Sequence, residues 1–150
     1  MRIAFGTDDD TAVTADLIRH LQAQGHQVTL LAPGAQWPEV GRAVAQAVAS
    51  GAAERGVVCC YTGTGVSIAA NKVPGVRAAL CTDAATAAGA RRWNDANVVA
   101  LGLRLTSDVV GREILDAFLA AEADDHELPV VQRLEGPGGT EAGEGIGGPR

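Results

Sequence analysis

Short runs of β-branched residues alternate along this chain with longer segments whose apolar residues recur every three or four positions. No other feature restricts the fold as much. Strands separated by helical crossovers pair in parallel, with the helices packed on the faces of the sheet. Arg2 to Phe5 predicts a first strand, and Val13, Leu17 and Leu21 predict the helix after it, closed by Gly25. Gln27 to Leu31 follows as a strand. Pro38 stands where a first helical turn tolerates proline, Val40, Val44 and Val48 form the buried stripe behind it, and Gly51 ends that helix. Gly56 to Tyr61 reads as a buried strand, Thr62 to Gly65 as a glycine loop, and Val66 to Val73 as a short helix stopped by Pro74. Val76 to Cys81 and Asn97 to Leu101 are the last strands, flanking an alanine-rich helix from Asp83 to Arg92. Thr106 or Ser107 caps a final helix through Val110, Ile114 and Phe118.

These elements predict one α/β domain over residues 1–134, built on a five-stranded parallel sheet. From Glu135 to Arg150 the chain is rich in Gly and Glu with almost no apolar residues. It cannot offset its ordering entropy and reads as a disordered tail. Aromatic residues make up only 3% of a chain that is 47% hydrophobic, so the core must be built from Ala, Val, Leu and Ile.

A net charge of −6 with no basic stripe argues against nucleic acid as a partner. Cys59, Cys60 and Cys81 form no disulfide framework and read as reduced, intracellular thiols. Met1 leads straight into a strand without a signal peptide, and no apolar run approaches membrane-spanning length; the expected compartment is the cytoplasm.

In open α/β sheets ligands bind at the carboxyl ends of the strands. Three segments are expected there: Gly6 to Asp10 after the first strand, Cys60 to Gly65 after the third, and Trp93-Asn94-Asp95 at the end of the fourth helix. Gly63 and Gly65 let backbone approach a ligand, and the helix that follows presents amides suited to a phosphate or a developing oxyanion. The loop is neither a P-loop nor a dinucleotide fingerprint, and a purely structural turn accounts for it equally. Cys60 lies at the mouth of the loop, where a thiol can serve as base or nucleophile; a buried core cysteine is the plainer reading, and the one assigned to Cys59 and Cys81. Among Asp8, Asp9 and Asp10, at least one is expected to cap the first helix. The three histidines are scattered, and no metal site is expected from spacing.

The run Tyr61-Thr-Gly-Thr-Gly-Val-Ser-Ile-Ala-Ala-Asn-Lys72, with Pro74-Gly-Val-Arg-Ala-Ala-Leu-Cys81 after it, resembles the signature of the type B ribose-5-phosphate isomerases and the related galactose-6-phosphate isomerases. So do Asn94-Asp95-Ala-Asn97, Leu101-Gly102-x-Arg104 and the opening Ile3-Ala-Phe-Gly-Thr-Asp8. The likeness covers roughly the first 120 residues in order, far more than a shared fold requires. It implies a three-layer αβα Rossmann-like domain and an aldose–ketose isomerase that works through an enediolate on a sugar phosphate, without metal or other cofactor. It also implies that Cys60 is the base and that Thr62 bonds the sugar oxygens. Backbone amides from Gly63 through Thr64 and Gly65 to Val66 would stabilise the oxyanion. Asp8 would bind the sugar, and Arg104 and Arg133 would lie near the phosphate. Members are homodimers, or tetramers, with each pocket completed by the partner chain, so Trp93 and Asn94 would serve the pocket of a second subunit.

Several positions depart from that pattern. Asp9 stands for a histidine of the family opening, Trp93 for the histidine assigned to ring opening, and Pro129 for one of two arginines, leaving Arg133. Some members carry a glutamate base where this chain has Val66. Gln36-Trp37-Pro38 replaces Asp-Tyr-Pro, and Tyr61 replaces a glycine beside the cysteine. Loss of cationic partners weakens phosphate binding, while the added aromatic faces either stack on a ligand or fill vacated volume. The sequence therefore supports an isomerase. Its alternatives are a catalytically weak sugar- or partner-binding paralog and one subunit of a hetero-oligomeric isomerase.

Overall fold

A computed structural model describes residues 1–136; the expected tail lies outside the described residues except for Glu135 and Gly136. Five strands, β1 (Arg2–Thr7), β2 (Gln27–Leu30), β3 (Arg55–Cys60), β4 (Ala78–Leu80) and β5 (Val98–Gly102), form one sheet in the order β2-β1-β3-β5-β4. Every pairing is parallel. The helices are α1 (Ala12–Ala23), α2 (Trp37–Ala49), α3 (Thr64–Asn71), α4 (Ala84–Asn94), α5 (Asp108–Ala120) and a single turn, α6 (Leu128–Val131), which leads into a 3-10 turn at Gln132–Glu135. The sequence pattern did not anticipate α6, whose four residues are too few to show a period.

The period of two along each strand sorts the core into two layers. Ile3, Phe5, Val57, Cys59, Val99 and Leu101 pack beneath α1, α4 and α5, against Leu17, Leu21, Ile114, Leu115 and Phe118. Ala4, Val58, Cys60, Val98 and Ala100 face α2 and α3, against Val40, Val44, Val66 and Ala70. Cys59 and Cys60 therefore point into opposite layers although they are adjacent in sequence. Cys59 and Cys81 are completely buried. Burial raises both thiols, Cys81 to about 11.

Two sequence expectations fail at helix starts. None of Asp8, Asp9 and Asp10 caps α1: Thr11 does, in a reciprocal capping box with Thr14. The chain needs three more residues to bend from the end of β1 into helical register, and the aspartates are left on that bend. The short helix after the glycine loop begins at Thr64, two residues earlier than the apolar pattern suggests, because Gly63 adopts the left-handed conformation (φ 75) and turns the chain at once. Ser107, rather than the buried Thr106, caps α5.

Candidate active site

The strand order reverses between β1 and β3, since the chain goes from β1 outward to β2 and then returns to β3 on the other side. That crevice, at the carboxyl ends, is where a fold of this kind takes its ligand. Thr7 of β1 pairs with Cys59 of β3, and the Asp8 amide donates to the Cys59 carbonyl at 3.4 Å. Asp8 thus sits beside the end of β3 that carries Cys60. It is half-buried, and desolvation raises its carboxyl above the ordinary range. Its own backbone hydrogen bond opposes that rise, and Asp9 adds to it. Asp9 is exposed, with its backbone tied to the Thr7 hydroxyl at 2.8 and 3.2 Å.

Cys60 is 5% exposed and ends β3 on the α2–α3 side. Gly63 follows in the left-handed region, where a Cβ would also meet the Gly102 amide at 2.9 Å, so only glycine lets the loop close against β5. No side chain caps α3. The amides of Thr64, Gly65 and Val66 have no acceptor within the helix, and the first bond is Ser67 N–H to the Gly63 carbonyl. Val66 sends its side chain into the core and offers the loop only its backbone. The hydroxyls of Thr62 and Thr64 lie 2.7 Å apart above it. Tyr61 and Arg104 stand beside one another at the ends of β3 and the β5 turn, the guanidinium 5.9 Å from the ring centre.

Trp37, whose ring the sequence offered either as a face for a ligand or as filling for vacated volume, belongs here. The ring of Trp37, in the first turn of α2, lies against Gly65, and a Cβ on Gly65 would stand 2.9 Å from two of its carbons. In sequence Trp37 stands directly before a helix-starting proline. What the sequence could not tell is that α2 and α3 meet at their N-termini.

The remaining candidates lie elsewhere in the chain. Trp93-Asn94-Asp95 was expected at the carboxyl ends of the strands, but α4 runs back antiparallel to the sheet and ends just before β5 begins. Asn94 borders a cavity of about 750 Å³ near Arg77 and Ala96, at the amino ends of β4 and β5. Arg133 lies in the 3-10 turn whose Glu135 reaches Arg77 at 3.6 Å, at that same end. Two residues of the Asn94-Asp95-Ala-Asn97 motif act as fasteners. Asp95, left-handed at φ 45, receives Arg77 and the 4%-exposed Arg91, each at 2.8 Å. Asn97 accepts the Arg77 amide at 2.8 Å and donates to the Gly75 carbonyl at 2.9 Å. Among the described residues, no three His, Cys, Asp or Glu side chains stand together as a metal site would need. Nor is any helix among them long and apolar enough to cross a membrane.

The ribose/galactose isomerase family profile matches residues 3–134. The chain belongs to this family. Galactose-6-phosphate isomerase subunit LacB of Clostridium acetobutylicum is 39% identical over 81% of this chain and 73% of its own length. The D-erythrulose-4-phosphate isomerase of Pectobacterium atrosepticum is 36% identical over 89% and 93%. Among solved structures, the Clostridium thermocellum ribose-5-phosphate isomerase B superposes with a TM-score of 0.85 at 36% identity, covering 90% of this chain and 95% of that one. This family member is thus an isomerase, with the αβα architecture its sequence pattern predicted.

Proposed function

We propose that the protein interconverts an aldose phosphate and its ketose through a cis-enediolate, with Cys60 as the base. The observation that carries the reading is the continuity of Cys60 with the glycine cradle: the thiol ends β3, and four residues later the unpaired amides of α3 begin. Proton abstraction beside a carbonyl needs that pairing, a base at carbon and preorganised donors at the oxygen that becomes negative. Thr62 bonds the sugar oxygens, Asp8 a sugar hydroxyl, and Arg104 the phosphate. The relatives named for ribose 5-phosphate, galactose 6-phosphate and erythrulose 4-phosphate isomerisation support a phosphorylated sugar as the substrate class.

Trp93, Asn94 and Arg133 lie too far around the domain to serve the Cys60 loop of their own chain. In this reading they complete the pocket of a second copy, and the working unit is a homodimer or a tetramer of such pairs. The relative named as a subunit favours one further arrangement, in which a paralogous chain supplies the ring-opening group that Trp93 lacks.

Proton NMR in D2O with tetrose, pentose and hexose phosphates tests the reading. Deuterium entering C1 or C2 is the expected result. A folded protein that exchanges none of them, yet is thermally stabilised by one, would be a sugar-binding paralog or a subunit awaiting its partner.

A further inference from the structure

Tyr61 sets a large, exposed ring directly after Cys60, at the entrance to the glycine loop. It holds Arg104 in two ways. The Arg104 amide donates to the Tyr61 carbonyl at 2.8 Å, and the neighbouring Leu103 amide to the Cys60 carbonyl at 2.9 Å, so the turn after β5 is pinned to the end of β3. The guanidinium then lies 5.9 Å from the centre of the Tyr61 ring. Among the described residues, Arg104 forms no ion pair, whereas Arg77, Arg91 and Arg112 are each tied to a carboxylate. Beside the stack is a cleft of about 100 Å³ whose walls include Thr62, Leu80 and Leu105. Tyr61 itself is 62% exposed, too open to be explained as core filling.

We infer that Tyr61 is a positioning residue: its ring fixes the Arg104 guanidinium at the mouth of this cleft, so that the arginine meets an incoming phosphate already ordered. The inference rests on the reading above that the substrate carries a phosphate. A free arginine must freeze several torsions when it grips an anion, and one stacked on an aromatic face has already lost that freedom. Because the bonds that pin the turn are backbone to backbone, the ring of Tyr61 can be removed without breaking them.

Inorganic phosphate is the probe, titrated calorimetrically into the full-length protein. Tyr61→Leu should weaken its binding about fivefold, a range set by exposed cation–π contacts. Tyr61→Phe, which keeps the face and loses the hydroxyl, should restore most of the affinity. In an Arg104→Met background, Tyr61→Leu should have no further effect, which a general structural role would not produce. With sugar phosphate, Tyr61→Leu should raise KM by more than it lowers kcat. Phosphate binding equal to wild type in Tyr61→Leu overturns the inference, as does equal weakening with and without Arg104, or a wild-type protein that binds no phosphate. The isomerase reading falls separately. A protein with Tyr61-dependent phosphate binding but no deuterium exchange refutes that reading alone, and exchange with Tyr61-indifferent phosphate binding refutes the inference alone.

Discussion

Trp37 lies so close over Gly65 that a β-carbon there would stand 2.9 Å from its Cδ2 and Cε3 atoms. The contact joins the first turns of α2 and α3, so the wall of the candidate pocket and its amide cradle come from helices that are distant in sequence. Gly65→Ala should push the ring outward and destabilise the fold by about 1–3 kcal/mol in urea titrations. Trp37→Ala in that background should recover part of the loss. Additive effects of the two changes would mean that the contact bears no strain.

Cys60→Ala removes one buried sulfur atom and leaves the glycine loop in place. Turnover and deuterium exchange should fall about a hundredfold or more, the usual contribution of a general base, with the urea midpoint little changed. Exchange at the wild-type rate would move the base elsewhere.

Asp95→Asn keeps a residue that tolerates the left-handed backbone but removes the charge facing Arg77 and the buried Arg91. A buried arginine left without its carboxylate should cost about 2–4 kcal/mol, read as a lower urea midpoint. Arg19→Ala, which breaks the exposed pair with Asp16, should cost under about 1 kcal/mol. Equal losses in the two variants would remove the fastening role given to Asp95.

Asp8 predicts a pH dependence. Folding raises its carboxyl, mainly by burial, so the ionised form destabilises the native state. That cost is absent below the ordinary carboxylate range, where both states are protonated. It grows as pH rises and is complete above the folded-state pKa. Asp8→Asn should therefore raise Tm at neutral pH and bring no gain near pH 3 or below. It should also weaken sugar binding, a trade expected of a strained site residue. A Tm gain of the same size at both pH values would show that burial of the charge is not the cause.

Much of this was legible in one dimension. Val57 and Val58 or Val98 and Val99 could only be strands buried on both faces, and Leu17 and Leu21 only a helix stripe. The run from Cys60 to Lys72 placed the proposed base and the glycine cradle on the same loop because they are neighbours along the chain. The aspartates after β1 were misread as caps, since Asp and Thr are comparable caps by type and only the path of the bend selects Thr11. The contact of Trp37 with Gly65 could not be read, and Trp93 was expected at the wrong end of the strands, for a related reason: each position depends on the direction in which a helix crosses other elements.

By itself, then, the sequence determined the five strands, the five longer helices, their parallel pairing and the Cys60 loop, all of which follow from local periodicity and short-range backbone chemistry. Only the tertiary structure decided that Trp37 covers Gly65, that Tyr61 stacks on Arg104, and that Trp93 and Asn94 end a helix at the opposite end of the strands from Cys60. Those relations arise from packing between segments remote in sequence, where volume and crossing direction, not residue type, select the neighbour.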